Sequence, residues 1–215
     1  MIRLSLGTRL SATALFVTAG VAGSAGVGRV CLAADAKAEV LLDNARVRIV
    51  RTSVPPAAGS PAVVVPLEDG AGRKKGEAWW SADAKDGATS AGGGAFVVVE
   101  PKPGAPQAPA PPVEGGSKPG EQTFKGISFV PLFENDRVVV LRARMEVGAE
   151  EAFHTHGRDV VVVHLSGGAI EDTADGKTKV NRWKPGDVEF EARGSSHSAR
   201  NVGGVIDVVL VTPKP

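Results

Sequence analysis

The chain has 215 residues, 25 Lys and Arg against 24 Asp and Glu, a single cysteine and no tyrosine. A formal charge of +1 gives no electrostatic case for a nucleic-acid or anionic-membrane partner, and so few aromatic residues leave no stacking platform for bases. One cysteine excludes an intrachain disulfide framework and a thiolate metal cluster.

Arg3 and Arg9 precede a small-residue apolar run from Ala12 to Val27, and Leu32-Ala33-Ala34 follows. This reads as a secretory signal peptide over residues 1–34. The run is broken by glycines and short for a membrane span, so no membrane association is expected after cleavage. The expected location is secreted or periplasmic, with export as an unfolded chain because no Arg-Arg pair is present. Cys31 leaves with the leader. Loss of Arg3, Arg9 and Arg29 cuts the basic count to 22 against 24 acidic residues, a mature charge of −2.

Residues 38–103 form the first mature segment. Its β-branched runs and Gly/Pro turns predict strands, and no helical period is sustained. Arg73-Lys74-Lys75 is a charged turn. Gly92-Gly93-Gly94 lacks the Lys and the helix of a phosphate-cradling loop. Residues 104–121, within a Pro-, Gly- and Ala-rich stretch, read as an extended linker.

The second segment, 122–215, predicts strands at Val138–Leu141, Val160–Val163 and Val205–Val211. Asp175-Gly176 is a hairpin turn and Lys184-Pro-Gly-Asp187 another. Three of the four histidines fall here at suggestive spacing: His154-x-His156 and, some forty residues on, His197. Side chains of an extended strand alternate, so His154 and His156 share a face. A third imidazole from a distant strand makes a three-nitrogen metal site with open positions. Many short strands with such turns predict an all-β sandwich or barrel.

Gly148-x5-His154-x-His156 with Gly167 resembles the first motif of the cupin superfamily, and Gly186…Gly194-x2-His197-x3-Asn201 resembles the second. The likeness covers roughly Glu134 to Pro215. It implies a cupin jelly-roll β-barrel holding one divalent transition metal at His154, His156 and His197. Nitrogen ligands favour copper or zinc; iron, manganese or nickel are compatible. Two positions depart from the pattern. Val160 stands where the family places a metal-binding Glu, and Ala192 where it places a Pro. Asp159, next to Val160, should point to the opposite face.

The two segments also resemble each other. Asp43-Asn-Ala-Arg-Val-Arg-Ile-Val-Arg51 matches Glu134-Asn-Asp-Arg-Val-Val-Val-Leu-Arg142, displaced by 91 positions, and Val97–Pro103 matches Val209–Pro215, displaced by 112. Residues 38–103 then read as a shortened, His-free copy that lacks the part bearing His-x-His. Its Trp79-Trp80 falls where Glu189-Phe190 sits and should cover the interface between the segments.

Other residues carry blander expectations. Glu189 and Glu191 alternate with Val188 and Phe190, the pattern of a strand with one solvated face, and are not read as a catalytic pair. Glu150 and Glu151 should be exposed, though either could swing toward the metal. His164 shares the parity of position 160 but lies roughly 13 Å along the strand. It should be a buried, hydrogen-bonded histidine. Phe153 and Trp183 are assigned to barrel core or rim. Asn201 either supports the metal ligands from behind or caps the turn before Gly203-Gly204. The resemblance implies oxygenase- or isomerase-type chemistry on a small organic anion. The rival is a non-enzymatic module that binds or senses metal or a small ligand. A small molecule is the expected partner, and homo-oligomerisation stays open.

Overall fold

A computed structural model describes residues 38–57, 59–70, 72–83, 94–103 and 123–215. The leader and the linker lie outside the described residues. All described strand pairings are antiparallel, and among the described residues the one helical element is a short 3-10 turn, Ser81–Asp83. The first segment forms a five-stranded sheet from Glu39–Asp43 (β1), Val47–Thr52 (β2), Val63–Pro66 (β3), Trp79–Trp80 (β4) and Phe96–Pro101 (β5), in the order β1-β2-β5-β3-β4.

The second segment supplies eight strands: Phe124–Glu134 (β6), Val138–Thr155 (β7), Val160–His164 (β8), Gly168–Ala174 (β9), Lys177–Trp183 (β10), Val188–Glu191 (β11), Ser196–Asn201 (β12) and Ile206–Pro213 (β13). Their order is β10-β9-β12-β7-β13-β8-β11, with β6 on the other edge of β7. The long β7 pairs with β13 through Val138–Met145 and with β12 through Glu150–Thr155. A strand that changes partners half-way turns a corner, and the sheet curls into a half-closed barrel around a cavity. The β9–β10 hairpin turns on Asp175 and Gly176, both at positive φ (52° and 70°), as a two-residue turn between twisted strands requires.

Both faces of the strands β7, β13, β8 and β11 are covered. Val138, Val140, Val161, Val163, Val209 and Val211 join Val47, Ile49, Val63, Val65, Val97 and Val99 of the first sheet in one core, with Phe190 and Trp80 packed on it. The alternate residues, among them Met145, Val162, Ile206 and Val208, form a second cluster toward the cavity. Trp80 therefore lies at the joint between segments. Trp79 points the other way, edge-on to Phe96 and under the Arg73 guanidinium.

Pairing registers repeat between the segments. Val47 faces Pro101, and Val138 faces Pro213, the same displacements of 91 and 112. Asn44 Oδ1 accepts from the amides of Arg46 and Val47, and Asn135 Oδ1 accepts from those of Arg137 and Val138. Contacts across the joint are reciprocal. Arg51 donates to Gly186 O at 2.6 Å, while Arg142 reaches Lys75 O at 3.4 Å. Gly186 sits at φ 85° with Leu67 3.0 Å from where a Cβ would be. Gly76 sits at φ 75° against Leu165 at 2.4 Å. Only glycine suits either turn.

Candidate metal centre

The histidines converge because of strand register. His154 is the last residue but one of β7, His156 lies just past the strand end, and His197 on β12 lies directly opposite His154. Bonds from His156 N to Ser195 O (2.9 Å) and Gly194 N to His156 O (2.8 Å) continue the pairing past the strand end. The three rings pack with centroids 4.8–5.1 Å apart, and one ligating atom from each lies within 4.8 Å of the others.

Hydrogen bonds fix which nitrogens face inward. His154 Nδ1–H donates to Ala152 O, and His197 Nδ1–H to Asp172 Oδ1, both at 2.9 Å. A backbone carbonyl only accepts, and the Asp172 carboxylate is an acceptor for His197, so in both rings Nδ1 is engaged from behind and Nε2 is the nitrogen left to face inward. His156 Nε2 and His197 Nε2 face each other at 3.1 Å. Metal bonds of about 2.0–2.1 Å put neighbouring donors roughly 3.0–3.4 Å apart, so this spacing suits two ligands of one cation. Burial, with the neighbouring His154 and His197, lowers the His156 pKa to about 4. A neutral imidazole at pH 7 is the form that ligates. The residues present therefore fit a divalent metal held by three Nε2 atoms, with Asp172 orienting His197 from behind.

Four carboxyl groups crowd the same spot, and here two expectations are corrected. Glu189 and Glu191 do not face solvent; both line the cavity. Their alternation with Val188 and Phe190 is as expected, but the apolar side of β11 serves the joint between segments. The polar side is thereby turned inward. Glu191 Oε2 lies 3.6 Å from His156 Nε2, and Oε1 4.0 Å from His197 Nε2. Burial, then Glu189, Glu151 and Asp172, raise the Glu191 pKa to about 8, and burial raises that of Glu189. In the metal-free protein the Glu191–His156 contact thus joins two neutral groups rather than an ion pair.

The Glu150-Glu151 pair splits. Glu150 is exposed near Lys125 and Arg200. Glu151 turns inward, 3.7 Å from His197 Nε2, with its pKa raised by burial. Glu151 and His154 have opposite strand parity and would ordinarily face apart. A bulge between them, where β12 advances two residues (His197 to Ala199) and β7 three, restores a common face. The same bulge leaves Phe153 exposed at 46%, not in the core.

The remaining expectations divide. Asp159 points away from the histidines, as expected, into a buried pair with Arg46 at 2.9 Å, and accepts from Arg193 N. His164 is fully buried, yet neither ring nitrogen has a hydrogen-bond partner; it stacks on Trp183 at 4.5 Å instead. Of the two roles open to Asn201, the hydrogen bonds describe the turn. Its amide donates to Met145 O, Glu146 O and Gly204 O and accepts from Gly203 N. The cavity beneath the histidines measures about 370 Å³, and its wall beyond the carboxyls is largely apolar, including Leu141, Met145, Val162, Ile206, Val208 and Leu210.

No family model and no curated protein matches the chain. Solved structures do. A cupin domain from Bordetella pertussis is 23% identical over 45% of this chain and all of its own, with a TM-score of 0.40. KdgF from Halomonas sp. is 21% identical over 42% of this chain and 81% of its own (TM-score 0.35). The polyketide cyclase RemF from Streptomyces resistomycificus is 19% identical over 51% and 79% (TM-score 0.38). These are likenesses of fold. The chain is similar over those shares to cupin-domain proteins; its own described residues form antiparallel strands whose second, curled sheet bears the three histidines.

Proposed function

We propose that the second segment is a single-metal centre for isomerase-type proton transfer on a small ligand, and that residues 38–103 are a shortened, metal-free copy serving as its packing partner. One observation carries the reading: three inward imidazoles and a set of half-buried carboxyls face one largely apolar cavity. The metal would supply Lewis-acid polarisation of a ligand oxygen, with copper or zinc favoured by the donor set. The chain supplies the rest. Asp172 and Ala152 hold two imidazoles in the ligating tautomer. The apolar wall excludes water. Glu189, whose pKa burial raises, lines the same cavity and is the group placed to take and return a proton at its carboxyl. Four carboxyls in the lining favour a neutral hydroxyl or carbonyl compound over the organic anion that the family resemblance implies.

The test is deuterium wash-in. Metal-loaded protein in D2O with a panel of small hydroxy- and keto-compounds should exchange a C–H next to the carbonyl, followed by NMR, and E189Q should stop the exchange. Oxygen uptake without exchange would point to oxygenase chemistry. Binding with neither would point to a non-enzymatic module. Secretion belongs to the same proposal and rests on Arg3, Arg9 and the apolar run; N-terminal sequencing of mature protein should begin between residues 33 and 37.

A further inference from the structure

The strand that normally carries a carboxylate ligand has Val160 in its place, and the register of β8 and β11 shows what stands opposite. Val160 pairs with Glu191. Directly opposed residues of an antiparallel pair share a face, with Cβ atoms about 4.5–5.5 Å apart. The carboxylate therefore hangs over the same point of the cavity from the neighbouring strand. We propose that Glu191 is the fourth protein ligand of the metal, a carboxylate moved from β8 to β11. This rests on the proposed three-histidine metal centre and adds its coordination set.

Geometry selects Glu191 over the other three acids. Its two oxygens approach two different ligand nitrogens, His156 Nε2 at 3.6 Å and His197 Nε2 at 4.0 Å. Those spacings are a few tenths of an ångström outside the roughly 3.0–3.4 Å edge of a filled coordination shell, within reach of a small rotamer adjustment. Glu151 approaches only one of them, His197 Nε2 at 3.7 Å. Asp172 is engaged with His197 Nδ1, on the far side of that ring. Glu189 shares the face of Glu191 but stands two residues earlier on β11. A carboxylate ligand lowers the charge of the centre from +2 to +1, so the remaining open positions suit a neutral oxygen donor.

The test is Co(II) titration of the metal-free full chain, followed by visible absorption and X-ray absorption. Wild type should show three imidazoles and a carboxylate oxygen. E191Q should bind at least about tenfold more weakly with an altered spectrum, while E189Q, which removes a carboxyl from the same cavity, stays within about threefold. V160E/E191Q, which returns the carboxylate to β8, should recover most of the affinity. The proposal is overturned if E191Q binds as wild type does, if E189Q or E151Q loses as much as E191Q, or if the loaded wild type shows imidazole and water oxygens only. Failure of wild type to bind Co(II) at all is a separate result, and removes the metal-centre reading itself.

Discussion

His164 is the residue whose chemistry is least served by its surroundings. Its ring is fully buried against Trp183 with both nitrogens unpartnered. Burial lowers its pKa to about 4, against a small opposing effect of Asp187. In the unfolded chain the group titrates near 6.5, so between pH 6.5 and 4 the unfolded state binds the extra proton. Stability on this account is complete above pH 6.5 and is lost as pH falls toward 4, by about 3 kcal/mol. His164→Phe keeps a flat ring on Trp183 and removes both unsatisfied atoms. Urea unfolding should show it at least as stable as wild type at pH 7, and less acid-sensitive between pH 6.5 and 4. A variant weaker by more than about 2 kcal/mol at pH 7 would mean that the imidazole has a partner, such as a buried water, that matters.

Strand patterning made much of this molecule legible. The His-x-His parity, the Asp-Gly hairpin and the repeated Asn-x-Arg-Val block all appear in the sequence as features of one or two strands, and local alternation suffices to read them. The inward carboxylates were not legible for a physical reason. Alternation shows that Glu189 and Glu191 share a face, but only tertiary packing decides that the Val188–Phe190 face meets the other segment. A bulge has no local signature in Glu151-Ala-Phe-His154, so the default of an exposed Glu150-Glu151 pair holds for Glu150 and fails for Glu151. The Arg46–Asp159 pair likewise joins residues 113 apart. It ties the turn before β2 to the loop before β8, with side chains only 13% and 9% exposed. Asp159→Ala strands a buried guanidinium and frees Arg193 N, and should cost about 3–5 kcal/mol in denaturant unfolding. Replacing both partners by apolar residues of similar size should recover most of that loss. A single-variant cost below about 1 kcal/mol would show that solvent reaches the pair.

At the scale of the whole molecule, the metal would tie together strands that are far apart in sequence. His154 and His156 belong to β7 and its extension, and His197 to β12, forty-one residues later. An ion bound only by the folded state adds stability in proportion to its occupancy, about 2.7 kcal/mol at a free concentration one hundred times its dissociation constant. For a mature chain of this size that is a rise in melting temperature of roughly 5–10 °C. All four histidines lie in the second segment and none in residues 38–103, so one ion per chain should saturate the effect. The repeated registers sharpen the expectation. The first segment reproduces the β2–β5 pairing and the Gly76 turn but has Trp79 and Trp80 where the second has Glu189 and Phe190. On the proposed reading it is a copy of the second segment's wall without the residues that would ligate. Thermal melts with increasing zinc or copper should therefore rise to a plateau at a stoichiometry of one, and His156→Ala and His197→Ala should flatten the curve while His164→Phe should not. A second tight ion per chain would contradict the metal-free reading of residues 38–103. A wild-type melt indifferent to either metal would contradict the three-histidine centre.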